Sequence, residues 1–156
     1  MSFRTMVNQN KAMDQEEILQ LIQKENYGVL SVNGDDGFPY GVPVNYLYHD
    51  GKFIIHGTAG NSHKLDSIRK DDKVCLTIVG EHELIEEDYT TEFSSVIVFG
   101  TAKIVSSDEE KKELMTAFVK GLAPAAYDQI KDRCVKESRG YSMLVITPAH
   151  ITGKHS

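Results

Sequence analysis

Tryptophan is absent from this 156-residue chain, and cysteine occurs only twice, at Cys75 and Cys134. The two are far apart and form no Cys-x-x-Cys pair, which excludes a disulfide framework, a zinc knuckle and a dithiol redox motif. Each reads as a small apolar side chain in a reducing compartment. Proline is scarce, with four residues, and no Pro/Gly/Ser-rich linker divides the sequence. We therefore expect one domain over residues 1–156, with residues 1–12 as an N-terminal arm. No apolar run approaches the roughly 20 residues needed to span a bilayer. The opening Met-Ser-Phe-Arg-Thr lacks the apolar core of a signal peptide, so a cytoplasmic protein is expected. Positive charge is in short supply: 17 Lys and Arg face 23 Asp and Glu, a net charge of −6. That balance argues against nucleic acid or an anionic membrane as a partner, although a local basic site can still hold a phosphate. The six histidines show no i, i+4 pairing or carboxylate spacing of a metal centre, so no metal is expected.

What is present is a strand-rich pattern with short helices. Asp14 with Glu17 forms a capping box, and Ile18, Leu19, Leu21 and Ile22 give a helical apolar stripe. Strands are expected over 29–32, 40–48 and 52–56. The second of these alternates Val42, Val44, Tyr46 and Tyr48 against Gly41, Pro43, Asn45 and Leu47. Pro43 cannot donate to a ladder, so this strand should be an edge, bulged or locally open. Asp50-Gly51 is a tight hairpin signal. A short helix capped by Asn61 or Ser62 should follow, then a strand over 74–79. Residues 81–92 read as an acidic surface loop, and 93–105 as a long strand. Ser107 with Glu110 opens a helix, another starts near Pro124, and a last strand covers 141–146, ended by Pro148. Six mostly antiparallel strands with short helices suggest a small barrel. Hairpin links between the first three strands disfavour a parallel nucleotide-binding sheet.

The segment from Phe53 to Asp66 carries the chemistry. A strand runs through His56 into the loop Gly57-Thr58-Ala59-Gly60-Asn61, which enters a helix at Ser62-His63-Lys64. Glycines let backbone amides approach an anion, and a helix start offers unpaired donors and partial positive charge. Thr58 and Ser62 can donate to phosphate oxygens, and Lys64 can supply the countercharge. A plain strand-to-helix turn with a capping serine explains the same residues equally well. The segment is neither a Walker A loop nor a Rossmann fingerprint. His56, where the strand leaves the sheet, either faces a ligand or packs against neighbours. Glu81-His82-Glu83 reads as solvated surface. Ser94 and Ser95 lack a nucleophile elbow, which disfavours a serine hydrolase.

Six ordered segments together narrow the field: Tyr27-Gly28-Val29-Leu30, Phe38 to Tyr46, Ile55-His56-Gly57, His63-Lys64-Leu65-Asp66, Val74-Cys75-Leu76 and Ser95 to Gly100. Their succession, with the closing Ile151-Thr152-Gly153-Lys154, resembles the nitroimidazole-resistance (Nim-type) proteins. These belong to the pyridoxamine 5'-phosphate oxidase-like family of FMN-binding split barrels, and the resemblance covers nearly the whole chain from about Arg4. It implies a six-stranded antiparallel split β-barrel with peripheral short helices, forming a homodimer with two flavin sites built from both subunits. By the same resemblance the flavin ring lies along Pro43, Val44, Asn45 and Tyr46. The phosphate meets the loop and helix from Thr58 through Ser62 and His63 to Lys64, beside Gly57. His56 matches a histidine near the flavin, where it would tune or position rather than act as a nucleophile. Ser95 matches a position near the cofactor and the dimer interface. The implied cofactor is FMN, with FAD possible, and the implied activity is a flavin-dependent reductase. Its donor would be NAD(P)H or another reductant and its acceptor a small electron-poor molecule such as a nitro-aromatic. A flavin carrier or sensor without turnover, and a split barrel that handles haem or has lost flavin, are the alternatives.

Overall fold

The computed structural model describes residues 2–136 and 138–156. Seven strands form one antiparallel sheet: β1 (Tyr27–Asn33), β2 (Pro39–Asn45), β3 (Leu47–His49), β4 (Lys52–Thr58), β5 (Lys73–Ile85), β6 (Thr90–Ile104) and β7 (Tyr141–His155). Their order is β2-β1-β5-β6-β7-β4-β3. The two ends of that ladder, β2 and β3, are neighbours in sequence, separated only by Tyr46, so the sheet must curl until its edges meet. This is the split barrel expected, with four helices around it: α1 (Gln15–Lys24), α2 (His63–Lys70), α3 (Asp108–Leu122) and α4 (Tyr127–Val135).

The inside of the curl holds one apolar core. Leu30, Val44, Tyr46, Phe53, Leu76, Ile78, Val96 and Ile146 are all at most 8% exposed, sealed by Leu21 and Ile22 of α1 and by Leu65 and Ile68 of α2. A second, smaller core lies outside the curl. There Ile54 and Met143 pack against Met115, Phe118 and Val119 of α3, with α4 behind. The runs Phe53-Ile54-Ile55 and Tyr141 to Leu144 are buried on both faces for that reason, and show no alternation. Each capping residue acts as its spacing suggests: Asp14 accepts from the Glu17 amide at 2.8 Å, Ser62 from Leu65 at 3.3 Å and Ser107 from Glu110 at 3.3 Å.

Pro43 sits on β2, an outermost strand of the ladder, where a missing N–H is harmless. Asp50 (φ 57°) and Gly51 (φ 74°) are both left-handed, as a primed two-residue turn requires. Four boundaries differ from the sequence reading. The expected strand 40–48 is two strands, because the Tyr46 amide leaves the ladder to donate to Asn26 O at 3.0 Å and the chain changes partner from β1 to β4. That division makes seven strands of the expected six. Residues 81–92 are not a loop but the far end of a hairpin, in which β5 and β6 stay paired from His82↔Phe93 to Ile85↔Thr90 beyond a bulge. Most of its side chains are exposed on both faces, so no apolar alternation marks it. Pro148 does not end the last strand: the β6–β7 register slips between Phe99 and Gly100, and Pro148 falls at that irregularity, opposite Gly100. The helix expected from Pro124 begins at Tyr127.

Candidate functional site

β4 emerges from the sheet between β7 and α3, and its last residues build the site. His56 lies opposite Met143, Gly57 opposite Ser142 and Thr58 opposite Tyr141. Alternation puts His56 on the outer face with Ile54, where its ring meets Phe118 at a centroid distance of 5.5 Å and 48° tilt. One side of the imidazole is thus covered and the other open. Burial lowers its pKa from the usual histidine value, and the nearby Lys64 ammonium lowers it further, so the ring is neutral at pH 7.

Past Thr58 the loop is exposed, and Gly60 turns it with φ +85°. Ser142 Oγ donates to Thr58 O at 2.9 Å and fixes the loop's origin. Ser62 then caps α2. Its hydroxyl and carbonyl take the Leu65 and Asp66 amides, which leaves those of His63 and Lys64, the first two of the helix, facing the loop. Lys64 folds back over Gly57: a methyl group at Gly57 would lie 3.3 Å from Lys64 Nζ and 3.1 Å from Ser142 Oγ. The space beside Gly57 is therefore a small cradle that a side chain would fill. Its nearest polar groups are the Lys64 ammonium and the Ser142 hydroxyl, whose proton is already given to Thr58 O. The ammonium, together with the unpaired amides at the helix start, is what suits a phosphate monoester.

Not every residue singled out from the sequence points here. His63 turns the other way, stacking on Tyr40 at 3.9 Å and pairing with Asp35 at 3.7 Å, so its imidazole braces the β1–β2 turn. Val44 and Tyr46 are core residues. Tyr46 is 1% exposed and its hydroxyl donates to Ile22 O at 2.7 Å, so only their backbones can meet a ligand. Burial, and then Glu25, push the Tyr46 phenol well above its ordinary pKa. Pro43 and Asn45 are exposed on the outer face, with Asn45 Nδ2 donating to Asn26 O at 3.1 Å. Ser95 lies on the outer face of β6, opposite Lys154. Between Ser142 and Lys154, β7 runs roughly a dozen residues, about 40 Å of extended strand. One chain does not bring Ser95 to His56 and Lys64. Sequence reasoning missed Ser142 and Phe118, which reach the site through strand register and helix packing and carry no local signal.

The outer face itself is apolar. A single cross-strand row runs Pro43, Val29, Thr77, Ile97, Thr152 over five strands. Val29, Val79, Ile97 and Phe99 on this face are 37–51% exposed. Among the described residues no group of histidines, cysteines and carboxylates is arranged to hold a metal, and no helix is long and apolar enough to cross a membrane.

A barrel of this topology, with a lysine from the start of its second helix folded against the end of β4, defines a class of protein. Residues 14–155 match the sequence model of the pyridoxamine 5'-phosphate oxidase family, and the chain belongs to that family. Solved structures share the fold at low sequence identity. The flavocytochrome Anf3 of Azotobacter vinelandii superposes with a TM-score of 0.83 at 18% identity, over 98% of this chain and 72% of that one. The FAD and haem binding protein of Mycobacterium smegmatis gives 0.80 at 17%, over 94% and 73%. A protein of Bacteroides thetaiotaomicron, provisionally named a 5-nitroimidazole antibiotic resistance protein, gives 0.72 at 18%, over 92% and 85%. No curated protein matches the chain.

Proposed function

We propose that this protein is a homodimeric, flavin-dependent oxidoreductase of Nim type, taking electrons from NAD(P)H or a similar donor and reducing a small electron-poor acceptor such as a nitro-aromatic. The observation that carries the reading is the end of β4 at Gly57, where the Lys64 ammonium lies against the strand from which the loop runs to the start of α2. FMN fits that donor set directly, and FAD would present a diphosphate to it. Bound there, flavin supplies the hydride or single-electron chemistry. Lys64 neutralises the phosphate, Ser142 holds the loop through Thr58, and the neutral His56 presents a hydrogen-bonding edge beside the cofactor that orients an acceptor.

A second copy of the chain is part of the proposal. The His56–Lys64 shelf is open to solvent, and Ser95 lies tens of ångströms away along β7, so a site using both draws on two subunits. The apolar outer face through Val29 and Val79 is the surface a partner would cover, and two-fold dimers are the commonest closed assembly. The flavin or haem bound by two of the structural relatives, as their names state, accords with this reading.

The test is the chromophore. Purified protein saturated with FMN or FAD should hold one flavin per chain and sediment as a dimer. Anaerobic NAD(P)H should bleach it, and a nitro-aromatic should restore the colour. Protein that binds neither flavin defeats the proposal. Protein that binds flavin but shows no acceptor-dependent reoxidation is a carrier or sensor instead. Val29→Asp should give a monomer that has lost its flavin, and a monomer that keeps it would remove the second subunit from the site.

A further inference from the structure

The N-terminal arm roofs a second site. Three cross-strand pairs, Ser95↔Lys154, Ile97↔Thr152 and Phe99↔His150, place six side chains side by side on the outer face of β6 and β7. Over them the arm is held by aromatic stacking. The Phe3 ring lies 4.8 Å from that of His150, nearly parallel at 2°, and 5.5 Å from that of Phe99. Between arm and sheet is a pocket of about 240 Å³, walled by Arg4 and Met6 above and by these strand residues below.

Its chemistry contrasts with the rest of the molecule. The chain carries a net charge of −6, yet no carboxylate lines this pocket and two cations do, Arg4 and Lys154. Among the described residues neither has a carboxylate within ion-pair distance, and the Lys154 ammonium rests over the Phe93 ring at 5.6 Å. Ser95 and Thr152 add hydroxyls. His150 adds a ring nitrogen, Nε2, that is buried with no hydrogen-bond partner. The floor of Ile97 and Phe99 is apolar. A flat apolar body on that floor, with one anionic group toward Arg4 and Lys154, would match the floor and the two cations, and the volume suits a single substituted ring rather than a drug-sized ligand.

We infer that the pocket between the N-terminal arm and strands β6 and β7 binds a small aromatic carboxylate, and that nitro-aromatics bearing such a carboxylate are the acceptors: the carboxylate is held unchanged, and the nitro group takes two electrons from the reduced flavin and two protons to give a nitroso group and water, NAD(P)H restoring the reduced flavin. Its role as the acceptor site rests on the flavin reading above, through Ser95 and the two-subunit site. The binding of the carboxylate does not. Arg4 offers the planar fork that matches a carboxylate, and Lys154 a second, mobile charge.

The experiment compares 4-nitrobenzoate with 4-nitrobenzyl alcohol, which share ring and nitro group and differ in charge. Calorimetry and amide shifts on the full chain should show the carboxylate binding at least ten-fold tighter, with shifts concentrated at Ser95 and Thr152. Arg4→Gln should reduce that preference several-fold. Arg4 lies outside every helix and strand, so this variant is readable even if changes in β7 disturb folding. Adding Lys154→Gln should abolish the preference while flavin per chain is unchanged. Equal binding of the two probes overturns the inference. So does loss of flavin in step with the two substitutions, because the cations would then serve the cofactor. Wild-type protein that takes up no flavin but still prefers the carboxylate upholds the pocket and defeats the oxidoreductase reading.

Discussion

Replacing Lys64 tests the phosphate cradle at its strongest point. Lys64 is half-buried, with Nζ held against Gly57, so a phosphate oxygen in the cradle would be within hydrogen-bond reach. A hydrogen bond to a charged group contributes about 1.5–3 kcal/mol, so Lys64→Gln should weaken FMN binding roughly 10- to 150-fold. Lys64→Glu adds repulsion. Two unit charges 4 Å apart near a protein surface interact by about 4 kcal/mol before screening by solvent, so this variant should lose flavin at any practical concentration. The fold should survive both changes. Residue 64 is the second position of α2, where a carboxylate complements the helix dipole by about 0.3–1 kcal/mol, so the flavin-free Lys64→Glu variant should melt no lower than wild type. A second readout comes from His56, whose pKa Lys64 holds down. NMR titration should show that pKa rising in Lys64→Gln and further in Lys64→Glu. Flavin affinity within two-fold of wild type in a folded Lys64→Glu protein would refute the phosphate assignment. An unmoved His56 would refute the proximity on which it rests.

Three further outcomes follow from the same geometry. Gly57→Ala puts a methyl group 3.1 Å from Ser142 Oγ and 3.3 Å from Lys64 Nζ, so the lysine must shift; FMN affinity, read by fluorescence quenching, should fall several-fold with little change in melting temperature. Tyr46→Phe strands the Ile22 carbonyl in a buried setting and should cost about 1–3 kcal/mol in urea denaturation, leaving the spectrum of bound flavin unchanged. The third concerns pH. His56 has a folded pKa below its unfolded value near 6.5, so on acidification the unfolded chain takes up the proton first. The stability that neutral His56 contributes is present above about pH 6.5 and is lost as pH falls through that value toward the folded pKa. His56→Gln should flatten this part of the stability profile, and an unchanged slope between the two pKa values would sink the linkage.

Much of this architecture was legible in the chain because its strands carry local marks. Alternation along Val42, Val44 and Tyr46 identified the inward face, the missing donor of Pro43 narrowed its strand to an edge, a bulge or a local opening, and Asp50-Gly51 identified the turn. The three capping residues were legible for the same reason: a cap is a contact between residues three apart. Misreadings arose where burial did not alternate. The 81–92 hairpin is wet on both faces, and Pro148 is accommodated by a register slip that belongs to β6 as much as to β7. At the site, Lys64 lies beside Gly57 and close to His56, as neighbours in one strand, loop and helix start, whereas His63 turns away from them. Adjacent helical residues point about 100° apart, and His63 finds Tyr40 and Asp35, which are distant in sequence. The pocket beneath the arm had no sequence signature. Its walls come from residues 4, 95–99 and 150–154, which only the β6–β7 register and the lie of the arm assemble.

The order of strands in the sheet also dictates an order of assembly. β1, β2, β5 and β6 pair among themselves and can form as soon as residue 104 is made. The β3–β4 hairpin cannot join them then, because its only route into the hydrogen-bonded ladder is β7, which begins thirty-odd residues later at Tyr141. Until β7 arrives, Phe53 and Ile55 lack the strand that locks them over the core, and the site residues His56 and Gly57 have no partner across from them. The last strand made is therefore the clasp of the barrel. Folding should show a late, cooperative step in which core closure and site formation coincide, and a nascent chain halted before Tyr141 should expose both to proteases and to chaperones.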